Sequence, residues 1–341
     1  MRCSLIKPAL AVVVGLAAAR SIVPALASAA ASSPIQICLA AAADLSPVYP
    51  TGVLPSTNTD VVAIFELGPS ERFKTLDFSW IALDVGNAAP PNYQIARGSL
   101  PLHGRRTGVL RLTGVRKGLT PGQYEIDVWA DKAPWHSQKF VVQQIAPVKL
   151  DKPSELIPLA VGNTWKYSFV QEAGAGAKVS LPGVVPGPDG KLHAEVAMTT
   201  AQAEADAFRI ETRRNNTLVF EEWWRLDPAG LLATRRRQVG GEDQTLMPSQ
   251  KLVSFPPGPQ SWAYQSEDRS FKQTYRMWGP LTVRGPAGAA AGFVVFTEQI
   301  SGPATTTVER HFVPGIGLVR EVLITALAGN LLSRQEMVLH P

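Results

Sequence analysis

The stretch that decides the fold reads FRIETRRNNTLVFEEWWRLDPAGLLATRRRQV and runs from residue 208 to residue 239. It predicts three β-strands, at residues 208–213, 218–226 and 231–239, because apolar and polar residues alternate through each of them. Asn215-Asn216 joins the first pair, and Asp227-Pro228-Ala229-Gly230 joins the second with residues that favour tight turns. Links this short allow only antiparallel neighbours, so the stretch predicts a β-meander.

The same alternation extends over the rest of the C-terminal part. The strand that opens it places Trp165, Tyr167 and Phe169 on one face. Residues 173–191 are rich in Gly, Ala and Pro and indicate a loop, whereas residues 200–207 indicate one short helix. Further strands are predicted at residues 271–277, 281–284, 293–300, 306–312, 318–327 and 331–339.

Two motifs in this part resemble bacterial envelope proteins of unknown function. The first is Pro158-Leu159 followed by Gly162-Asn163-Thr164-Trp165-x-Tyr167, and the second is Phe312-Val313-Pro314-Gly315-Ile316-Gly317-Leu318-Val319-Arg320. Such proteins are similar to the lipoprotein-localisation-factor class, in which a curved antiparallel sheet forms a half-barrel. The resemblance therefore implies an antiparallel half-barrel-like domain at residues 159–341. Some relatives carry lipid or lipoprotein, but no residue of the two motifs transfers that activity to this chain.

The N-terminal part, residues 35–148, predicts a β-sandwich. Short strands are expected at residues 60–67, 76–85, 108–112, 123–130 and 138–143. In the fourth strand Tyr124, Ile126 and Val128 share one face, as in a half-buried antiparallel strand. Closely spaced strands without a helical period are typical of a sandwich, in which Trp80 is expected to lie in the core.

The segment Gly118-Leu119-Thr120-Pro121-Gly122-Gln123-Tyr124 resembles the small immunoglobulin-like domains of envelope proteins. The resemblance implies an immunoglobulin-like β-sandwich for residues 35–148. Residues 149–158 are polar, contain two prolines and are expected to form the linker between the two domains. The predicted fold class is thus all-β, with a sandwich followed by a curved antiparallel sheet.

Residues 1–31 predict a secretory signal peptide. Arg2 and Lys7 precede an uncharged apolar run at residues 9–19, and small residues around Ala29 offer a cleavage site between Ala29 and Ala31. Arg20 and Pro24 interrupt the apolar segment, which argues against a membrane anchor. Neither Cys3 nor Cys38 lies in a convincing lipoprotein box. The expected location of the processed chain is periplasmic or secreted, with no transmembrane span.

Removal of this leader changes the interpretation of charge and of cysteine content. The formal net charge falls from +5 to +2 because Arg2, Lys7 and Arg20 are lost. A nucleic-acid partner is therefore not expected. Cys38 is left without a second cysteine, so no internal disulfide is possible, and the fold must depend on its apolar cores.

The sequence contains no convincing catalytic or metal-binding pattern. No two histidines are close in sequence, and no Gly-x-Ser-x-Gly or phosphate-binding loop is present. Glu221 and Glu222 are adjacent on a strand and must point to opposite faces. Glu309 and His311 share a face and are expected to belong to a solvated, salt-bridged strand. We expect no enzyme activity, no metal and no cofactor.

Two adjacent tryptophans and a set of arginines make the meander a candidate binding site. Trp223 and Trp224 must project to opposite sides of the sheet, and the pattern leaves open which of them faces a cavity. If the sheet curves, its concave side is expected to hold an apolar ligand among aromatic groups, unless both tryptophans are covered by the rest of the fold. The predicted ligand-binding residues are Trp223, Trp224, Arg225, Arg235 and Arg237.

The arginines of the meander have two interpretations. Clustered guanidinium groups suit a carboxylate or phosphate partner, such as an anionic lipid or a cell-wall component. The alternative is a solubilising face in which the arginines pair with Glu211, Glu221 and Glu222. The arginines concerned are Arg209, Arg213, Arg214, Arg225, Arg235, Arg236 and Arg237.

Three hypotheses for function follow. The first is an exported, non-catalytic binding or carrier protein of the cell envelope, whose ligand is an amphiphile or an anionic envelope component. The second is a structural, assembly or chaperone-like protein that binds a protein partner and no small ligand. The third is a carbohydrate-binding module that presents Trp129, Trp135 or Trp223 to a glycan.

Overall fold

The computed structural model describes residues 33–114 and 118–341. The predicted signal peptide lies outside the described residues. The all-β prediction is confirmed, since 62% of the described residues are in strands. The described residues form two compact units: one contains residues 33–114 and 118–148 together with Trp278–Leu281, and the other contains Lys149–Met277 and Thr282–Pro341.

The described residues of the first unit form ten strands. Its two larger sheets have the strand orders β1-β5-β8 and β4-β10-β9-β6-β7, and β2 pairs with β3. One 3₁₀ turn, Gly86–Ala88, follows β6. The strands are β1 (Ile35–Cys38), β2 (Ala40–Ala41), β3 (Pro47–Val48), β4 (Val53–Pro55), β5 (Val61–Glu66), β6 (Thr75–Asp84), β7 (Tyr93–Pro101), β8 (Thr107–Leu112), β9 (Gly122–Ala130) and β10 (Ala133–Gln143).

Apolar and polar residues alternate in β9, and this alternation determines which of its side chains lie in the core of the unit. Tyr124, Ile126 and Val128 are buried, and Trp80 is buried as expected. The rings of Trp80 and Phe140 meet edge to face, with centroids 6.1 Å apart. The Tyr124 hydroxyl donates a hydrogen bond of 2.6 Å to the Thr120 carbonyl, which fixes the turn before β9. All five predicted strands are present, whereas β1 to β4 and β7 were not foreseen.

The second unit contains one sheet of twelve strands. Its order is β16-β15-β14-β13-β12-β11-β22-β21-β20-β19-β18-β17. A 3₁₀ turn, Pro153–Glu155, precedes the sheet. The strands are β11 (Thr164–Ala173), β12 (Leu192–Glu204), β13 (Ala207–Arg214), β14 (Thr217–Asp227), β15 (Gly230–Gln238), β16 (Gln244–Ser254), β17 (Gln260–Gln265), β18 (Lys272–Gly285), β19 (Gly288–Ser301), β20 (Ala304–Val313), β21 (Gly317–Leu327) and β22 (Asn330–Leu339).

This sheet is nearly closed into a barrel. Its first and last strands, β16 and β17, are consecutive in the chain and approach each other. The Trp262 indole on β17 donates to the Lys251 carbonyl on β16 over 3.0 Å, so side chains bridge the gap. The prediction of a curved antiparallel sheet is confirmed, and its curvature goes beyond the expected half-barrel.

The meander at residues 208–239 is confirmed as β13, β14 and β15, paired antiparallel. Asn215 and Asn216 have φ angles of 45° and 66°, the left-handed values that a two-residue hairpin requires. The short helix expected at residues 200–207 is wrong, because β12 continues through Glu204 and pairs with β13. Pairing to neighbouring strands outweighs the modest helix propensity of its alanines.

The two motifs that carry the half-barrel resemblance meet in the second unit. The Trp165 indole donates to the Ile316 carbonyl over 2.7 Å, and the buried Tyr167 hydroxyl donates to the Leu318 carbonyl over 2.9 Å. Burial raises the pKa of Tyr167 strongly, and the charge of Glu321 adds to this. These bonds join the strand β11 to the turn before β21 and to the first residues of β21.

Candidate functional site

The two faces of the twelve-stranded sheet are distinguished by a small apolar cavity. Tyr167, Trp224 and Phe312 all line it, although β14 and β20 are separated by five strands in the sheet. Only the concave side of a curved sheet brings such distant strands together. We call this side the inner face and the convex side the outer face. Trp224 therefore belongs to the inner face, and its neighbour Trp223 belongs to the outer face.

On the outer face, Trp223 is covered by arginine. The guanidinium carbon of Arg235 lies 3.6 Å from the centroid of the Trp223 ring. The Glu204 carboxylate accepts a 2.7 Å bond from the Trp223 indole and a 3.0 Å bond from Arg235. Trp223 is only 4% exposed as a result. Its ring is thus a support for a guanidinium group rather than an open platform for a sugar.

Further ion pairs surround Trp223 and define the outer cluster. Arg225 pairs with Asp206, and Arg237 pairs with the buried Glu221. Within the described residues, these pairs join five arginines to an equal number of carboxylates, so the cluster has no surplus charge. The arginines are Arg209, Arg213, Arg225, Arg235 and Arg237, and the carboxylates are those of Glu204, Asp206, Glu211, Glu221 and Asp243.

This balance supports the interpretation of a paired, solubilising face for the outer arginines. Glu211 and Glu221 take part as expected, but Glu222 lies on the inner face and pairs with Arg236 at 3.4 Å. Of the five predicted ligand-binding residues, the structure brings together Trp223, Arg225, Arg235 and Arg237 and separates Trp224 from them. Their role in ligand binding stays a prediction.

One end of the inner face is filled by apolar side chains. Trp224 is 9% exposed, and its indole donates to the Glu222 carboxylate over 2.5 Å. The aromatic residues here pack around a small cavity and leave little room for the apolar ligand that the sequence suggested. The lining residues are Ile157, Trp165, Tyr167, Met198, Trp224, Phe312 and Leu318.

Next to this apolar end lies a charged layer. Arg236 pairs with Glu222, and Arg310 donates to Glu321 over 2.6 Å. Gln250 accepts a bond from Arg236 and donates to the Tyr275 hydroxyl over 2.6 Å. Burial raises the pKa of Tyr275, which keeps this hydroxyl protonated. Each charge of the layer has a partner of opposite sign, so the layer carries no net charge.

The other end of the inner face is polar and partly open to solvent. Half-buried residues line it, among them Arg214 and Gln335. Arg214 lies over the Phe169 ring, with 5.2 Å between its guanidinium carbon and the ring centroid. Gln171 lies two residues beyond Phe169 on β11 and is buried, yet its side-chain oxygen Oε1 has no hydrogen-bond partner in the described structure. We call this region the open end.

Sequence reasoning did not single out the open end. It grouped Arg214 with the other arginines of the meander, although its neighbour Arg213 must face the opposite way. The available signal was that Arg214 shares its face with Ile210, on the side where apolar residues predominate. An arginine on the apolar face of a strand is the unusual feature, because charged groups are rarely buried without a partner.

Two further sequence candidates have defined places. Glu221 and Glu222 lie on opposite faces, as predicted. His311 and Glu309 share a face and lie 2.5 Å apart, but both are buried rather than solvated. Tertiary packing covers this part of the strand, which the sequence pattern does not reveal. Among residues 33–114 and 118–341, no group of three or more His, Cys, Asp or Glu side chains is placed to hold a metal ion.

The tryptophans proposed for glycan binding are at most half-exposed. Trp129 on β9 is half-buried, and the Trp135 indole donates to Glu71 over 2.9 Å. The Trp135 ring also meets Phe73 edge to face. Over the part of the chain that the structure describes, no helix is both long enough and apolar enough to cross a bilayer.

Comparison with known proteins gives distant structural matches alone. No model of a known protein family matches the chain, and no curated protein matches it. One solved structure that matches is described as an exported protein with a YmcC-like fold from Bacteroides fragilis, at 15% identity and a TM-score of 0.24. A second, described as a lipoprotein from Parabacteroides distasonis, matches at 13% identity and a TM-score of 0.24. Each match covers 53% of this chain and 94% of the other.

Proposed function

We propose that this chain is an exported, non-catalytic binding protein of the cell envelope that holds a small ligand at the open end of the twelve-stranded sheet. The observation that carries the proposal is the contrast between the two ends of the inner face. One end is packed with aromatic side chains, whereas the other is partly exposed and lined by polar groups. Near-closed sheets of this kind commonly take ligands on their inner face.

Export is part of the proposal and is supported by the leader-like residues 1–31. It is tested by expressing the full chain in a bacterial host and sequencing the amino terminus of the protein in the periplasm or medium. A mature chain that begins shortly after Ala29, Ala30 or Ala31 supports export. Retention of the full-length chain in the cytoplasm contradicts it.

Ligand binding is tested by native mass spectrometry on protein purified from the exporting host without detergent. The expected result is a mass above that of the mature chain, which returns to the chain mass on denaturation. Gln335→Trp fills the open end, because Gln335 pairs with Gln171 and faces inward. Val338→Trp is its matched control on the same strand, since Val338 faces outward and is 42% exposed.

The added mass is expected in the wild type and in Val338→Trp and is expected to be absent from Gln335→Trp. A wild-type mass equal to that of the mature chain overturns the proposal. Equal ligand occupancy in Gln335→Trp and Val338→Trp overturns the placement of the ligand at the open end.

A partner-binding role is the second candidate, favoured by one observation in the first unit. The strand β7 lies at the edge of its sheet and is largely exposed, with Tyr93 51% exposed. Exposed edge strands can add a strand from a partner. The Tyr124–Thr120 bond supports an immunoglobulin-like interpretation, since a tyrosine corner of this type is common in such sandwiches. Cross-linking from Tyr93 in cells that recovers one protein, with no bound ligand by mass spectrometry, favours this role.

A further inference from the structure

We propose that the ligand of the open end carries a carboxylate or phosphate group next to a hydroxyl group, and that Arg214 binds the anion. The inference rests on the proposed function and specifies the chemistry of its ligand. Three observations lead to it: the lack of a counter-ion for Arg214, the position of Arg214 on the inner face, and the unpartnered polar groups around it.

Arg214 differs from the other arginines of the meander. Six of the seven have a carboxylate partner, on the outer face or, for Arg236, in the charged layer. Arg214 has a ring contact with Phe169 and no ion pair within the described chain. Its Nε atom is buried without a hydrogen-bond partner there, as are those of Arg209, Arg225 and Arg236, so the missing ion pair is what sets Arg214 apart. One guanidinium charge on the inner face is thus uncompensated.

An uncompensated, half-buried cation is energetically unfavourable in the free protein. Burial lowers the pKa of the Arg214 guanidinium from its ordinary value. The group nevertheless remains protonated near neutral pH, because an arginine side chain does not lose its proton under these conditions. A ligand oxygen with negative charge compensates the guanidinium through charge-assisted hydrogen bonds, and a planar fork of donors fits a carboxylate or phosphate.

The neighbouring groups define the rest of the ligand. Gln171 is next to Phe169 on the inner face of β11, about 7 Å along the strand, and its Oε1 atom is an unpartnered acceptor. Ser333, fully buried on β22, is a diagonal neighbour of Gln171 and has an unpartnered hydroxyl. An amide oxygen requires a donor, which a ligand hydroxyl supplies.

The site is tested with two anionic probes and two neutral ones. The anionic probes are glucuronate and glycerol 3-phosphate, and glucose and glycerol are their neutral counterparts. Binding is measured by isothermal titration calorimetry at low ionic strength. Glucuronate represents an acidic sugar, and glycerol 3-phosphate represents a phosphate headgroup. The probe that binds with the higher affinity identifies the source of the anion.

Three variants accompany the wild type. Arg214→Gln removes the charge, Arg214→Lys keeps the charge without the planar fork, and Arg213→Gln removes the adjacent arginine on the outer face. We expect Arg214→Gln to bind the preferred anion about ten- to hundred-fold more weakly, the range expected for a hydrogen bond to a charged group. Arg214→Lys is expected to be intermediate, and Arg213→Gln to bind as the wild type does.

Urea unfolding without ligand separates binding from a structural role. Arg214→Gln is expected to unfold at the same urea concentration as the wild type or at a higher one, because an uncompensated charge is removed. A lower midpoint shows that Arg214 supports the fold and overturns the inference. Wild-type protein that binds neither anion, or binds neutral and anionic probes equally, also overturns it.

Failure of this inference can be distinguished from failure of the proposed function. A co-purified ligand that lacks any anionic group, or that remains bound in Arg214→Gln, overturns the inference and leaves the binding function in place. A wild-type protein that carries no ligand by mass spectrometry and binds no probe overturns both.

Discussion

The guanidinium group of Arg235 lies 3.6 Å from the centre of the Trp223 indole ring, and both side chains donate to the carboxylate of Glu204. Three strands contribute to this contact: β12 supplies Glu204, β14 supplies Trp223 and β15 supplies Arg235. A tryptophan on the convex side of the sheet is thereby removed from solvent. The contact ties the outer surface of the meander together.

Trp223 is therefore expected to contribute to stability. Trp223→Ala removes a buried aromatic side chain and should lower the free energy of unfolding by about 3–5 kcal/mol. Arg235→Gln leaves the ring in place and should cost about 0.5–1 kcal/mol. Urea unfolding followed by circular dichroism measures both. A loss below about 1 kcal/mol in Trp223→Ala would show the ring to be a surface group available for ligands.

Glu221 is the most buried carboxylate of the outer cluster, since its side chain is 4% exposed. It faces Arg209 and Arg237. Glu221→Gln should cost about 1.5–3 kcal/mol, because hydrogen bonds to a charged group are lost in a buried place. Glu211→Gln, at a more exposed carboxylate beside the same Arg209, should cost less than about 1 kcal/mol. Urea unfolding that shows equal losses of unfolding free energy in Glu221→Gln and Glu211→Gln would contradict this order.

Alkaline pH is expected to destabilise the protein through its buried tyrosines. Burial raises the pKa of Tyr167 and Tyr275 above the ordinary value of 10.0. In the unfolded chain these hydroxyls ionise near that ordinary value, whereas in the folded chain they stay protonated. The unfolded state therefore binds fewer protons above pH 10, and stability falls as the pH rises further.

Urea unfolding between pH 8 and pH 11 measures this effect. Tyr167→Phe and Tyr275→Phe should each flatten the loss of stability above pH 10, although Tyr167→Phe also removes the hydrogen bond to Leu318. Tyr93→Phe, at a tyrosine that is 51% exposed, is the control and should keep the wild-type slope. An unchanged slope in both buried variants would contradict the assignment.

Gly317 is the first residue of β21, directly after the turn that meets Trp165, and has a φ angle of +94°. A Cβ atom there would lie 3.7 Å from the indole nitrogen of Trp165, an ordinary contact. Gly317→Ala should therefore lose about 1–2 kcal/mol through backbone strain alone. Gly258→Ala is the control, because Gly258 has open space and no left-handed backbone. Thermal unfolding should show a lower midpoint for Gly317→Ala only.

Much of the architecture was predictable from local patterns. The alternation of Phe220, Glu222 and Trp224 with Glu221 and Trp223 identified β14 and its two faces. Asn215-Asn216 fixed the hairpin because asparagine tolerates left-handed backbone angles. The prediction of a helix at residues 200–207 was wrong, because pairing with β13 outweighs the weak helix preference of this segment. The strands β12, β16 and β17 were also missed, because polar residues are frequent in all three and Pro248 interrupts the pattern of β16.

The candidate site was only partly predictable. The sequence identified the arginines of the meander as a group, yet their partners are set by register across strands. Glu204 is 31 residues from Arg235 and still accepts its hydrogen bond. Arg214 has no such carboxylate among the described residues. No pattern in the sequence reveals that Arg214, unlike the neighbouring arginines, lacks an ion-pair partner.

By itself, the sequence determined that the chain is all-β and that Trp223 and Trp224 point to opposite sides, because both follow from the alternation of side chains along each strand. Only the tertiary structure decided which side is concave, how far the sheet closes, and that Arg214 lies on the inner face with no counter-ion among the described residues. Curvature and strand register join residues that are distant in the chain, and alternation within a single strand carries no information about those contacts.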